Sequence, residues 1–208
     1  MTMTTSAALA ATSVPRSLAS GTPSVDERAV ERAARTFLHA LGISTDGESL
    51  SGTPRRMARA YVELLSPVPF TFTTFPNDEG YDELVLARNI PFRSVCEHHL
   101  LPFSGVAHVG YLPGERILGL SKLARVVEHF ASRPQVQERL TKQVADALQT
   151  HLDPRGAGVI LEAEHSCMVL RGVNARGSTT VTSALLGTLR ADPRSRQEFF
   201  ALSKSTRN

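Results

Sequence analysis

The amino-acid sequence predicts an α+β protein with a single core. Helix-spaced apolar residues dominate the first third of the chain, and four later segments of β-type residues flank two further helical patterns. At 208 residues and 41% hydrophobic content, the chain is long enough for one substantial core. It has no apolar run of membrane-spanning length and a net charge of only +3, which argues against a membrane or nucleic-acid-binding protein.

Residues 1–23 are predicted to form a disordered tail, because Thr, Ser, Ala and Pro dominate and cannot bury enough apolar surface to offset chain entropy. A transit peptide is the weaker alternative, since basic residues are sparse there. Residues 24–208 are predicted to form one domain. Ser24–Glu27 is typical of a capping box, and the helix it starts is expected to stop at Gly42. Thr53, as an N-cap before Pro54, predicts the second helix.

The rest of the chain alternates pairs of strands with helices. Ser121 is predicted to cap one helix, Ser132–Pro134 to start a longer one that ends near Gly156, and Pro193 to begin a closing helix that runs to about Leu202. His39, His129 and His151 fall on helices and are expected to face solvent, whereas His108 is expected to be an ordinary strand residue. The strands are predicted at residues 82–92, 104–112, 157–170 and 178–190.

Two dense clusters of reactive side chains predict a metal site. Cys96 and His99 stand in a Cys-x-x-His spacing, and the only other cysteine, Cys167, follows His165 in the second cluster. If the clusters meet, three ligands leave a fourth tetrahedral position free, which is typical of catalytic zinc. A disulfide, two buried apolar cysteines, or a closed structural site with His98 or His165 as fourth ligand remain as alternatives.

Cationic residues at one helix start predict an anion site. Lys122 and Arg125 lie in the first turn of their helix, where the positive end of the helix dipole disfavours cations. A bound phosphate would explain this placement. By contrast, Arg56 is by composition a solvated helix residue, and Glu138 is a normal residue for a helix start.

Five motifs stand in a fixed order along the chain. They are Thr53-Pro54-x-Arg56, Cys96-Glu97-His98-His99-Leu100-Leu101-Pro102-Phe103, Gly119-Leu120-Ser121-Lys122-Leu123-Ala124-Arg125, Gln137-Glu138, and Glu164-His165-x-Cys167-x-x-x-Arg171-Gly172. Taken together, these motifs resemble the GTP cyclohydrolase I family, and the similarity extends from about residue 27 to about residue 203. A related enzyme acting on another purine or pterin, or a catalytically silent binding protein, is the alternative.

The resemblance implies a tunnelling fold, in which an antiparallel four-stranded sheet carries two helices on one face. Residues 24–80 would be N-terminal helices and a linker, and residues 81–208 the tunnelling-fold unit. It also implies a cytoplasmic homodecamer, built as a dimer of pentamers with active sites at subunit interfaces. The reaction would convert GTP and water to formate and 7,8-dihydroneopterin triphosphate, the first step of tetrahydrofolate and pterin biosynthesis.

The resemblance also implies a role for each motif residue. Zn²⁺ would be held by Cys96, His99 and Cys167 and would activate water for attack on the guanine ring. Proton transfer would fall to His165, assisted by His98, and contact with the sugar to Ser121. Guanine would be read by Glu138 with support from Gln137. The triphosphate would be bound by Lys122, Arg125, Arg171 and, from a neighbouring subunit, Arg56.

Overall fold

The computed structural model describes residues 16–18 and 25–204 and has the expected α+β architecture. The bounds of its elements, in chain order, are β1 Arg16–Leu18, α1 Glu27–Ala40, α2 Thr53–Leu64, β2 Phe70–Phe72, β3 Thr74–Pro76, β4 Val85–Cys96, β5 Pro102–Leu112, β6 Arg116–Leu118, α3 Ser121–Ala131, β7 Pro134–Gln135, α4 Gln137–Leu152, β8 Gly156–His165, α5 Ser166–Val169, β9 Thr180–Gly187, α6 Thr188–Ala191 and α7 Pro193–Lys204.

The N-terminal helices form where the apolar spacing predicts them, but their caps differ. Asp26 caps α1 by accepting a hydrogen bond from Ala29 N at 3.0 Å, while Ser24 lies outside the described residues. Thr53 is already helical, because Gly52 occupies the N-cap of α2. Of the segment predicted as a tail, residues 1–15 and 19–23 lie outside the described residues, and Arg16–Leu18 forms β1, which pairs with β2.

One sheet organises the remainder of the chain, with strand order β7-β4-β5-β8-β9. The four long strands are antiparallel, as expected. The two-residue β7, which is parallel to the end of β4, was not predicted. Its segment was expected to start a helix, but α4 begins only at Gln137. Gln135 is buried and donates from its side-chain amide to Phe130 O at 2.8 Å, which favours the extended conformation there.

Helices α3 and α4 cover one face of the sheet and enclose the main core. Leu123 and Val126 of α3 and Val144 and Leu148 of α4 are fully buried in it. A smaller cluster on the opposite face is centred on Phe199 of α7. The prediction of two helices on one face is therefore confirmed.

Several predicted boundaries and exposures are wrong. Ser121 is the first residue of α3, because Leu120 already has helical backbone angles at the N-cap. The strand predicted to reach residue 170 ends at His165, where α5 begins, and the last strand ends at Gly187. His129 is buried rather than solvent-facing, and His151 is half-buried with its ring stacked on Phe72.

Other placements agree with the sequence. His39 is exposed on α1, and His108 is a buried residue of β5. Helix α7 begins at Pro193, as predicted. Within the described part of the chain, no helix has both the length and the apolar character needed to cross a membrane.

Candidate active site

The end of β4 and the start of α5 bring Cys96, His99 and Cys167 together. The Cys96 Sγ atom lies 3.8 Å from His99 Nδ1 and 4.0 Å from Cys167 Sγ, and all three ligand atoms lie within 4.8 Å of one another. Cys96 is buried, Cys167 half-buried and His99 exposed, so the group opens toward the surface. The two predicted clusters therefore meet, and both cysteines are free thiols in the structure.

The donor set fits a tetrahedral metal ion. Zinc–sulfur bonds of about 2.3 Å at tetrahedral angles put two sulfurs roughly 3.8 Å apart, close to the observed separation. Burial raises the pKa of the Cys167 thiol, and the neighbouring Cys96 sulfur raises it further. Two adjacent thiolates are unfavourable unless a cation lies between them, so this pair suits a metal.

A short turn after β4 carries two of the three ligands. Cys96 O accepts hydrogen bonds from His99 N at 3.4 Å and Leu100 N at 2.8 Å, and Cys96 N donates to Leu101 O at 2.9 Å. Leu100 adopts a left-handed conformation with φ 52°, which reverses the chain toward β5. The Cys-x-x-His spacing therefore places both ligands on one side of a single tight turn.

Glu97 connects this turn to helix α4. Its carboxylate accepts hydrogen bonds from Arg139 Nη1 at 2.6 Å and Nη2 at 2.8 Å, a forked ion pair. The Arg139 guanidinium holds the pKa of the Glu97 carboxyl below its usual value. His98 Nε2 lies 3.8 Å from Glu97 Oε1, and 65% of the His98 side chain is exposed. The predicted acid–base residue His98 therefore stands at the surface beside the metal ligands.

His165 lies two residues from Cys167, at the end of β8, in a more enclosed setting than His98. Its ring stacks on Phe103 of the neighbouring strand β5, with centroids 4.4 Å apart and planes 6° from parallel. His165 Nε2 lies 2.7 Å from Gln137 Oε1. Burial lowers the pKa of His165, while the negative charge of Glu138 acts in the opposite direction. Stacking and hydrogen bonding together fix the plane of the ring.

Gln137 is buried, and its side-chain amide hydrogen-bonds to groups of the neighbouring strands β8 and β9. Gln137 Nε2 donates toward Leu161 O at 3.1 Å and Thr180 O at 2.9 Å. Carbonyl oxygens cannot donate, so the amide nitrogen must face them and Oε1 must face His165. His165 Nε2 therefore carries a proton, and in the neutral ring Nδ1 holds the lone pair. The expected support of Gln137 for guanine binding stays a prediction.

Glu138 follows Gln137 but is exposed to solvent. Its side chain lines a groove of about 540 Å³ between α4 and β9, which is also bordered by Thr182 and the basic residues Lys142, Arg190 and Arg196. Thr182 Oγ1 also lies 3.1 Å from Gln137 Nε2, so a residue that borders the groove contacts Gln137, the hydrogen-bond partner of His165. Glu138 therefore has room for a ligand on the same side of α4.

The predicted anion-binding residues of α3 lie away from the metal group of the same chain. Ala131, the last residue of α3, accepts a hydrogen bond from Ser94 Oγ at 2.7 Å, two residues before Cys96. A helix rises 1.5 Å per residue, so Ser121 lies roughly 15 Å along α3 from that point. Because α3 packs along β4, its first turn lies toward the start of that strand. Lys122 is half-buried and Arg125 exposed in this region.

The remaining predicted arginines are exposed. Arg56 donates to Thr53 Oγ1 at 2.8 Å and Ser49 O at 3.2 Å at the start of α2. Arg171 follows α5, and its positive charge opposes the rise in the pKa of the Cys167 thiol. Among the described residues, the single chain thus groups Cys96, His99 and Cys167 with His98, His165, Gln137 and Glu138, while the first turn of α3 lies at the other end of its helix.

Sequence reasoning missed two residues that shape this region. Arg139 reads as an ordinary surface cation of α4, and Phe103 as an apolar strand residue. The Phe103 role could have been inferred from strand pairing, since Phe103 is directly opposite His165 in the antiparallel register. The Arg139 role depends on a contact across 42 residues, for which the local sequence holds no signal.

Comparisons with known proteins identify the same family as the motifs. A model of the GTP cyclohydrolase I family matches residues 30–204. GTP cyclohydrolase 1 of Mycolicibacterium gilvum (strain PYR-GCK) is 52% identical over 182 residues, which are 85% of this chain and 90% of that protein. GTP cyclohydrolase 1 of Aquifex aeolicus (strain VF5) is 48% identical over 180 residues, covering 86% of this chain and 98% of that protein.

Among solved structures, the archaeosine synthase QueF-Like in the apo form aligns with a TM-score of 0.40 and 19% identity, over 50% of this chain and 93% of that one. This likeness is too low to support a conclusion about the chain.

Proposed function

Because the chain belongs to the GTP cyclohydrolase I family, we propose that it converts GTP and water to 7,8-dihydroneopterin triphosphate and formate, the first step of tetrahydrofolate and pterin biosynthesis. The observation that carries the proposal is the open Cys96, His99 and Cys167 group beside His165 in a chain matched by the family over nearly its whole length. We also propose that the enzyme works in the cytoplasm, with residues 24–208 acting as one domain that comprises N-terminal helices and a linker to residue 80, followed by a tunnelling-fold unit.

The metal we propose is zinc, held by Cys96, His99 and Cys167, since two sulfurs and one imidazole nitrogen are ligands that zinc prefers. Zinc held by these residues would supply Lewis acidity, which would bring the pKa of water toward neutrality and favour its attack on C8 of guanine. The exposed side of the group, at His99, supports access for a nucleotide.

His165 is the proposed group that exchanges a proton with the imidazole portion of guanine. Gln137 Oε1 accepts a hydrogen bond from His165 Nε2–H, so His165 Nδ1 is the nitrogen available to substrate. The lowered pKa of His165 makes its protonated form a stronger acid, which suits a proton donor. His98, at the surface beside Glu97, is the proposed assistant in proton transfer.

Glu138 is the proposed reader of guanine. Its exposed carboxylate can accept hydrogen bonds from guanine N–H groups, which adenine cannot match in number or position. Gln137 supports this role indirectly, because it fixes the start of α4 against β8 and β9.

The triphosphate and sugar contacts are proposed to come from more than one subunit. Ser121 lies roughly 15 Å along α3 from Ala131, the end of the helix that contacts Ser94 near the metal group, which supports a site shared between copies. Ser121, Lys122 and Arg125 of one subunit would then face the metal group of another, with Arg171 beside that group and Arg56 from a further copy. The proposed assembly is a homodecamer of two pentamers.

The test is GTP turnover by metal-loaded and chelator-treated full-length protein, following formate release and pterin fluorescence after oxidation. We expect both products to require the metal. We also expect Glu138→Gln to lower kcat/KM for GTP roughly a hundredfold or more, whereas Glu128→Gln, an exposed residue on α3, leaves it unchanged. If zinc is retained but neither product forms, GTP is not the substrate; if Glu138→Gln has wild-type kinetics, Glu138 does not read guanine.

A further inference from the structure

The turn that carries Cys96 and His99 has little packing of its own. Leu100 is 48% exposed and the His98 side chain 65% exposed. An exposed turn closed mainly by its own backbone hydrogen bonds opens more readily than a buried element. The position of His99 therefore depends on the contacts that attach this turn to the rest of the protein.

Glu97 makes the charged attachment. Its two carboxylate oxygens accept from the two terminal nitrogens of Arg139 at 2.6 and 2.8 Å, a forked geometry that fixes both orientation and distance. The Glu97 backbone nitrogen also donates to Gln135 O at 3.0 Å, and Tyr61 OH donates to Leu100 O at 3.1 Å. Each of these is a single hydrogen bond between neutral groups, whereas Arg139 and Glu97 form two charged hydrogen bonds.

Arg139 lies in a well-packed part of helix α4. It belongs to the first turn of α4, where Gln137 and Leu140 are buried. Successive helix residues point about 100° apart, so Gln137 faces His165, Glu138 faces the groove and Arg139 faces the metal-binding turn. The first turn of α4 thus contacts Glu97, which is next to Cys96, and His165, which lies two residues before Cys167.

We propose that Arg139, acting through Glu97, is a positioning residue that holds the turn from Cys96 to His99 in its metal-binding geometry. The inference rests on the proposed metal site. Its consequence is that loss of the forked pair leaves the three ligands in the chain but lets His99 depart more often, so the metal is released faster. Because His98 lies between Glu97 and His99 in sequence, the same pair also sets the position of His98.

The experiment measures the rate at which the zinc-loaded full-length protein loses zinc to an excess of a chromophoric chelator. We expect Arg139→Gln to release zinc about two- to fivefold faster than wild type, the size appropriate to one partly exposed ion pair. Arg139→Lys keeps the positive charge but cannot form the two parallel hydrogen bonds, so its rate of zinc release is expected to lie between those of wild type and Arg139→Gln. Lys142→Gln is the matched control, since it removes the cation of the Lys142–Asp146 pair on the same helix; its release rate should equal that of wild type.

A second comparison separates positioning from general stability. In a Glu97→Gln background, Arg139→Gln should cause no further acceleration, because its effect passes through Glu97. The thermal midpoint of chelator-treated protein should be the same for Arg139→Gln and Lys142→Gln. Equal zinc release by these two variants, or fully additive effects of the two substitutions, would overturn the inference while leaving the metal site intact. A wild-type protein that retains no zinc would overturn the metal site and this inference together.

Discussion

Replacing Gln137 with methionine tests the buried network behind His165. Methionine preserves the length and most of the volume of the side chain but removes its amide. Gln137 is 2% exposed, and the substitution removes the hydrogen bonds of its side-chain amide with Leu161 O, Thr180 O and His165 Nε2. At about 1 kcal/mol for each hydrogen bond, the free energy of unfolding should fall by about 3 kcal/mol. For a chain of this length, that corresponds to a thermal midpoint roughly 6–12 °C lower.

The same substitution should impair catalysis, because His165 loses the acceptor that fixes its ring. The assay is thermal unfolding at one protein concentration, since assembly makes the midpoint concentration-dependent, together with kcat and KM for GTP. We expect kcat to fall by roughly tenfold to a hundredfold with zinc content unchanged. Gln197→Met, at an exposed position of α7, controls for the amide-to-thioether change and should match wild type in both measurements.

Two results would contradict this reasoning. A midpoint within about 2 °C of wild type would mean that the buried amide contributes little to stability. A lowered midpoint with wild-type kcat would mean that Gln137 stabilises the fold without orienting His165.

Three further experiments test separate parts of the site and fold. Cys167→Ser should lose most bound zinc, as measured by elemental analysis, whereas its neighbour Ser166→Ala should retain it; equal zinc contents would exclude Cys167 as a ligand. Burial lowers the pKa of His129 in the folded protein, so the unfolded chain binds a proton on this imidazole more tightly. The free energy of unfolding that His129 contributes is therefore present above about pH 6.5 and is lost as the pH falls through the folded-state pKa. The thermal midpoint should thus drop less between about pH 7 and pH 5 in His129→Gln than in wild type; parallel curves would refute this. Mixing Arg56→Ala with Ser121→Ala subunits should restore part of the activity that each lacks, and no recovery in verified hybrids would argue against shared sites.

The sequence alone predicted that Cys96, His99 and Cys167 form one group that could hold a metal, because their chemistry is rare and the spacing of the first two is local. Cys96 and His99 fall within one turn, and Cys167 is the only other cysteine that could join them. Runs of β-type residues likewise predicted the four long strands, and helix-spaced apolar residues predicted α3 and α4; the placement of both helices on one sheet face was implied by the family resemblance. In these cases, the residues that determine the feature are neighbours in the chain or share one repeating pattern.

Only the tertiary structure decided which polar side chains are buried and what they contact. Gln137 and His129 fall at positions where a helix pattern permits either burial or exposure, and strand β8 and residue Val68, respectively, provide their hydrogen-bond acceptors. The pairing of Glu97 with Arg139 likewise joins residues 42 positions apart. A local pattern specifies which face of an element is apolar, but a buried polar group needs a specific partner, and that partner is determined by how distant elements pack.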